Sequence, residues 1–152
     1  MELGIEGNIS FNRNKIVSIG QTGDSGTLYL SPDSEPVQAK FFYGDALQSS
    51  GDTNPLNIFV EGQPIGLFYG YKTDGIIGIG ETGPAFVAGK ELQEGAVRYC
   101  DLNHNGMMDL DDRTIIGNPN AGFTYGFNTS LNYKRLTLTA AFQGVGDKQI
   151  LN

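Results

Sequence analysis

Residues 123–133 have the sequence FTYGFNTSLNY, in which Phe, Tyr, Phe, Thr, Leu and Tyr alternate with Thr, Gly, Asn, Ser and Asn. Successive side chains of an extended strand point to opposite faces of its sheet. The segment therefore predicts a β-strand with one aromatic, apolar face and one small, polar face.

The same period of two resumes directly after this strand. Beyond Lys134 and Arg135, residues 136–142 place Leu, Leu, Ala and Phe at alternate positions. Two alternating runs joined by two residues predict a β-hairpin, which we place at residues 122–144. Residues 3–12 alternate in the same way, with Ile5, Ile9 and Phe11 on one face, and predict a further strand.

The segment between these strands differs in composition. The chain has 22 glycines among 152 residues, about twice the usual share of roughly 7%. Residues 13–121 are rich in Gly, Pro, Asp and Ser and predict a loop region with short strands near 37–43, 65–71 and 96–100. The predicted fold class is all-β, with antiparallel strands and long Gly- and Asp-rich loops.

Charge and cysteine content exclude several classes of protein. The formal net charge is -7, and the ten Lys and Arg residues are scattered. A nucleic-acid partner is therefore not expected, because neutralising phosphates needs clustered cations. The single Cys100 excludes an intrachain disulfide framework.

No apolar run approaches the ~20 residues that a membrane-spanning helix needs, whereas a spanning β-strand needs only about 9–11 residues.

Residues 101–112 match a calcium-binding loop. Counted from Asp101, side-chain oxygens fall at positions 1, 3, 5, 9 and 12, and Gly106 stands at position 6, where the loop turns sharply. The predicted calcium ligands are the side chains of Asp101, Asn103, Asn105, Asp109 and Asp112 and the backbone carbonyl of Met107. Only three of these ligands are charged, so weak binding is expected. The alternative is an Asx-rich turn that needs no ion.

No residue set predicts catalysis. His104 is the only histidine and occupies a loop position that normally faces solvent. Residues 78–83 match a dinucleotide-binding fingerprint, but Pro84 follows and no amphipathic helix begins there, although the fingerprint requires one. We therefore expect neither catalytic nor cofactor-binding residues.

The apolar stripe has two interpretations. In a soluble β-sandwich it would pack on a core, and in a membrane barrel it would face lipid. The opposite face carries Thr, Gly, Asn and Ser rather than Lys and Glu, which suits a hydrated lumen. The aromatic residues Phe123, Tyr125 and Tyr133 lie near the two ends of the strand, where interfacial girdles occur. Both features favour the membrane interpretation.

Several motifs, in this order, resemble one family. They are GQPIGLFYGYKTDGI at residues 62–76, the calcium-loop segment running through DRTIIGNP at residues 112–119, and FTYGFN at residues 123–128. NISFNRNKI at residues 8–16 and FQG at residues 142–144 add to the resemblance. The chain resembles the SusC/RagA family of TonB-linked outer-membrane proteins along nearly its whole length.

The resemblance implies a C-terminal fragment of a barrel of about 22 strands around a plug. It further implies location in the outer membrane, in contact with its lipid, and import of oligosaccharide or peptide cargo delivered by a SusD-type surface lipoprotein. TonB would supply the energy through N-terminal parts that lie outside this chain. Two alternatives remain open: a soluble calcium-stabilised β-module of a secreted adhesion or carbohydrate-binding protein, and a fragment of a glycan-processing enzyme.

Overall fold

A computed structural model describes residues 1–44, 55–83, 85–86 and 93–150, of which 85–86 are described by their backbone alone. These described residues contain twelve strands and one short 3-10 turn, Leu110–Asp112. The strands are β1 Glu2–Phe11, β2 Asp24–Leu28, β3 Val37–Tyr43, β4 Asn57–Val60, β5 Leu67–Tyr71, β6 Thr73–Ile76, β7 Ala85–Phe86, β8 Val97–Tyr99, β9 Met107–Met108, β10 Arg113–Gly117, β11 Phe123–Tyr133 and β12 Leu136–Gly146. The predicted all-β class is confirmed.

The chain divides into two compact units. Met1–Asn14 and Pro119–Asn152 form the first, which we call the sheet unit. Lys15–Asn118 forms the second, which we call the inserted unit because it lies between two strands of the sheet unit in sequence. Each unit has its own sheet.

The sheet unit is a three-stranded antiparallel sheet in the order β1-β11-β12. A two-residue turn joins β11 to β12 and sets Tyr133 opposite Leu136. Lys134 adopts the left-handed conformation in this turn, with φ 54°. Strand β12 continues to Gly146, two residues past the predicted end of the hairpin, because Gly146 still pairs with Phe123.

The inserted unit contains a five-stranded sheet in the order β10-β5-β4-β3-β2. Its buried core consists of Leu28, Phe41, Ile58, Val60, Leu67 and Tyr69. Strand β3 coincides with the segment expected at residues 37–43. Strand β5 begins two residues later than expected, after Gly66, which has φ 70° and therefore interrupts extended backbone. A region expected to be mostly loop thus has a core of its own.

Two small strand pairs complete the inserted unit. β6 pairs with β8 in antiparallel fashion, whereas β7 pairs with β9 in parallel. Apart from this two-residue parallel pair, the paired strands of the described residues are antiparallel, as predicted. Among residues 1–44, 55–83 and 93–150, no helix is long and apolar enough to cross a bilayer.

Candidate functional site

One face of the sheet unit is apolar across all three strands. The register places Ile9 opposite Tyr125 and Phe127 opposite Phe142. The Phe127 and Phe142 rings lie 6.3 Å apart, between centroids. The large side chains that alternation and register place on this face, which we call the apolar face, are Leu3, Ile5, Ile9, Phe11, Phe123, Tyr125, Phe127, Leu131, Tyr133, Leu136, Leu138 and Phe142.

The apolar face is exposed. Phe11 is 73% exposed, Leu138 61% and Phe142 59%. Monomeric soluble proteins rarely present contiguous apolar patches larger than a few hundred Å². The arrangement suits a surface that contacts lipid or another apolar partner.

The opposite face, which we call the polar face, carries small and hydrophilic side chains. The Asn8 amide oxygen lies 2.6 Å from the position that a Cβ at Gly126 would take. Ser130 Oγ lies at the same distance from the position of a Cβ at Gly4. The remaining members of this face are Glu2, Glu6, Ser10, Thr124, Asn128, Asn132, Thr137, Thr139, Ala141, Gln143 and Val145. Val145 is the large apolar exception. Water can hydrate such a surface at little cost.

The predicted calcium loop closes through its own polar side chains. Asp101 Oδ2 accepts a hydrogen bond from the backbone N–H of Gly106 (2.7 Å), and Asp101 Oδ1 accepts one from Asn105 (3.2 Å). Asn105 Oδ1 accepts one from the N–H of Met107 (2.7 Å). His104 and Gly106 have φ 57° and 80°, so two residues of the loop adopt the left-handed conformation.

Asp112 closes the loop from its other end. Its Oδ1 accepts a hydrogen bond from the N–H of Leu102 (2.9 Å) and a longer one from that of Asn103 (3.4 Å). Its Oδ2 accepts one from the N–H of Asp109 (2.9 Å), and Asp109 Oδ1 in turn accepts one from Asp111. Asp109 and Asp112 form a capping box at the start of the 3-10 turn, and Asp112 is 0% exposed. Its carboxylate is therefore a structural acceptor for three amides.

The loop brings together the predicted ligands. Asp101, Asn103 and Asp109 are half-buried and Asn105 is exposed, whereas Asp112 is buried. The hydrogen bonds within the loop are those expected of the Asx-turn alternative. The side-chain oxygens of Asp101 and Asn105 each accept one of them and keep a further lone pair, whereas Asp112 Oδ1 already accepts two. In the part of the chain that the structure describes, no three His, Cys, Asp or Glu side chains are grouped so as to hold a metal ion. Calcium binding stays a prediction.

Sequence reasoning missed a buried cation beside the loop. Arg113 is 5% exposed, and its Nη2 donates hydrogen bonds to the carbonyls of Tyr69 (2.9 Å) and Pro55. Its guanidinium carbon lies 4.6 Å from the centre of the Tyr69 ring, a favourable cation–π distance. Burial, and next the nearby Tyr43, raises the pKa of the Tyr69 phenol above its ordinary value. No local sequence pattern indicates these contacts, because Tyr69 and Arg113 are far apart in the chain.

Two other sequence features, the dinucleotide-like motif at residues 78–83 and the single Cys100, lie in ordinary structural environments. Gly78 donates its N–H to the Glu81 carboxylate (3.0 Å), and Gly80 has φ 78°, so residues 78–81 form a turn rather than a helix start. Burial raises the pKa of the half-buried Cys100 thiol.

No protein-family model matches the chain. Two curated proteins of Formosa agariphila are similar to it. TonB-dependent receptor P3 is 35% identical over 147 residues, and TonB-dependent receptor P26 is 26% identical over 144 residues. Each match covers 95% of this chain but 13% of the relative, so the chain spans about an eighth of their length. These relatives support a relationship of the chain to one segment of TonB-dependent receptors.

Proposed function

We propose that this chain forms part of the barrel wall of a TonB-dependent outer-membrane transporter of the SusC/RagA type. The observation that carries the proposal is the apolar face, which continues in register across β1, β11 and β12 while the polar face lies behind it. Membrane barrels alternate in this way, with apolar side chains toward lipid and polar ones toward the lumen.

The strand length fits a bilayer. At ~3.4 Å per residue, the eleven residues of β11 extend over roughly 37 Å, and a tilt of about 45° reduces their height to roughly 26 Å. The apolar band of outer-membrane barrels is about 25 Å tall. Aromatic residues also lie near both ends of the strand, at Phe123, Tyr125 and Tyr133.

In this proposal the chain contributes wall and loop to transport and performs no catalytic step. The cargo is an oligosaccharide or a peptide, a SusD-type surface lipoprotein delivers it, and TonB drives its import through parts of the transporter outside this chain. The relatives named TonB-dependent receptors support a transport role in the outer membrane. The SusC/RagA assignment, with its cargo and its lipoprotein partner, rests on the sequence motifs.

We further propose that residues 101–112 bind calcium weakly and stabilise the inserted unit.

The second candidate function, a soluble calcium-stabilised β-module, is favoured by one observation: the inserted unit has its own buried core. Size-exclusion chromatography in detergent-free buffer separates the two candidates. A wall segment should associate through its apolar face, whereas a module should elute as a monomer with one cooperative thermal transition.

Neighbouring substitutions on opposite faces test the wall proposal directly. Phe127→Arg places a charge on the apolar face and Asn128→Arg places one on the polar face, both near the middle of β11. Partitioning of the whole chain from urea into lipid vesicles is measured for each variant. Phe127→Arg should lose about 2–4 kcal/mol of transfer free energy, and Asn128→Arg little. Equal losses for the two variants would contradict a lipid-facing apolar face.

A further inference from the structure

The turn between β11 and β12 is basic, and one of its cations lies on the side of the apolar face. The ammonium group of Lys134 lies 5.4 Å from the centre of the Tyr133 ring. Tyr133 belongs to the apolar face and is 50% exposed. Leu136, opposite Tyr133 in register, is 66% exposed. The Lys134 charge therefore lies at the end of the apolar face beside a large ring, and Arg135 is the next residue of the same turn.

The polar face at this end is occupied by other contacts. Thr137 Oγ1 donates a hydrogen bond to Asn132 Oδ1 (2.8 Å), which links the two strands just inside the turn. Glu2 lies beside Asn132 in β1, also on the polar face. In the described ranges both ion pairs are made by Arg98, so Lys134 and Arg135 have no carboxylate within ion-pair distance there.

We propose that Lys134 and Arg135 bind the headgroup phosphates of anionic phospholipids at the membrane surface nearest the turn. The inference rests on the proposed barrel wall, because that wall sets the turn at the boundary of the apolar band. Long cationic side chains at such a boundary extend toward lipid headgroups while their carbon stems remain on apolar surface. The cation–π contact holds the Lys134 charge on the lipid side of Tyr133.

The two ends of the sheet unit indicate which leaflet is involved. The turn has two residues, whereas the opposite end of β1 and β11 connects to the whole inserted unit, Lys15–Asn118. Outer-membrane barrels have short periplasmic turns and long extracellular loops. In this proposal Lys134 and Arg135 therefore contact the periplasmic leaflet.

Vesicle binding of the whole chain measures the contribution of the two cations. One set of vesicles is phosphatidylcholine alone, and in the other a quarter of the lipid is phosphatidylglycerol. At low salt the preference for the anionic vesicles should fall about fivefold for each cation removed, and about 30-fold for Lys134→Gln with Arg135→Gln. The control pair, Lys15→Gln with Lys72→Gln, removes the same charge from exposed positions of the inserted unit and should change the preference little.

A fluorescent reporter then locates the contact. The chain has no Trp, so Tyr133→Trp provides a single indole beneath Lys134. Lipids brominated on their acyl chains should quench this indole more strongly as phosphatidylglycerol than as phosphatidylcholine, and Lys134→Gln with Arg135→Gln should remove the difference. Exchanging the cations, Lys134→Arg with Arg135→Lys, should restore it.

The outcomes separate the two proposals. Binding to both vesicle types with equal affinity and equal quenching would overturn the headgroup contact and leave the barrel wall standing. A control pair that loses as much preference as the turn variants would also overturn it, because the effect would then follow net charge. Failure to bind either vesicle type would overturn the wall proposal and the headgroup contact together.

Discussion

The ring of Tyr125 in β11 lies over Gly144 in β12, its partner in register, and occupies the space that a Cβ at Gly144 would need. Phe123 covers Gly146 in the same way, two pairs nearer the strand end. An aromatic ring laid across a glycine buries backbone that would otherwise be uncovered and lets the strands stay evenly paired. Two aromatic residues of the apolar face are thus held flat along the sheet.

A double-mutant cycle tests this relationship. Gly144→Ala should destabilise the sheet unit by about 1–3 kcal/mol, because the new methyl group displaces the Tyr125 ring from its place. In a Tyr125→Ala background the same substitution should cost less than about 0.5 kcal/mol, since the space is then empty. Urea unfolding of the chain in detergent micelles measures both values. The same cost in both backgrounds would show that the ring and the glycine are not coupled.

Asp112 should stabilise the calcium loop without any ion. Asp112→Ala leaves the N–H groups of Leu102, Asn103 and Asp109 without their acceptor, and we expect a loss of about 2–4 kcal/mol. The control is Asp111→Ala, because Asp111 is exposed and its backbone N–H, which the substitution keeps, donates to Asp109. Thermal unfolding in chelator measures both variants. A loss that occurs only when calcium is present would mean that Asp112 acts as a ligand instead.

Calcium binding to the loop should be weak. With three charged ligands, isothermal titration calorimetry should give a Kd of roughly 10⁻⁴ to 10⁻³ M. Asp101→Ala should weaken binding by more than about tenfold, whereas Asp111→Ala removes the same charge from a non-ligand position and should change Kd much less. Absence of heat at millimolar calcium would leave the Asx turn as the whole explanation of the motif.

Alkaline pH should destabilise the inserted unit through Tyr69. Burial raises the pKa of this phenol in the folded chain, whereas the unfolded phenol titrates near its ordinary value of about 10. Stability is therefore unaffected by Tyr69 below about pH 10 and falls as pH rises further, because the unfolded state loses its proton first. Denaturant unfolding from about pH 8 to about pH 11 measures the free energy of unfolding, which should decline less for Tyr69→Phe than for the unchanged chain. Tyr29→Phe serves as the control, and equal declines in the two variants would contradict the role of Tyr69.

Strand positions in the sheet unit could be predicted, because alternation is a local property of the chain. The pattern at residues 123–133 sets both faces of β11, and the two-residue turn sets its register with β12. The inserted unit was predicted less completely. Its core joins Leu28 to Tyr69 across many loop residues, and no period in the sequence indicates which short strands pair.

The candidate calcium loop, too, could be predicted only in part from the sequence. The spacing from Asp101 to Asp112 identifies an oxygen-rich loop, because the turn at Gly106 and the Asx contacts involve residues close in sequence. The burial of Asp112 and the packing of Arg113 on Tyr69 depend on β10 lying beside β5. A spacing rule treats Asp112 as one more ligand, whereas the structure shows it serving backbone amides.

The sequence by itself determined that this chain is all-β, that a hairpin lies at about residues 122–144, and that this hairpin has one apolar and one polar face. These properties follow from the period of two and from a two-residue turn, which act between neighbouring residues. Only the tertiary structure decided that β1 pairs with β11 across the whole of Lys15–Asn118, setting Ile9 beside Tyr125 and widening the apolar face to three strands. Such pairing depends on the closure of a long loop and on the fit of surfaces distant in sequence, and local propensity encodes neither.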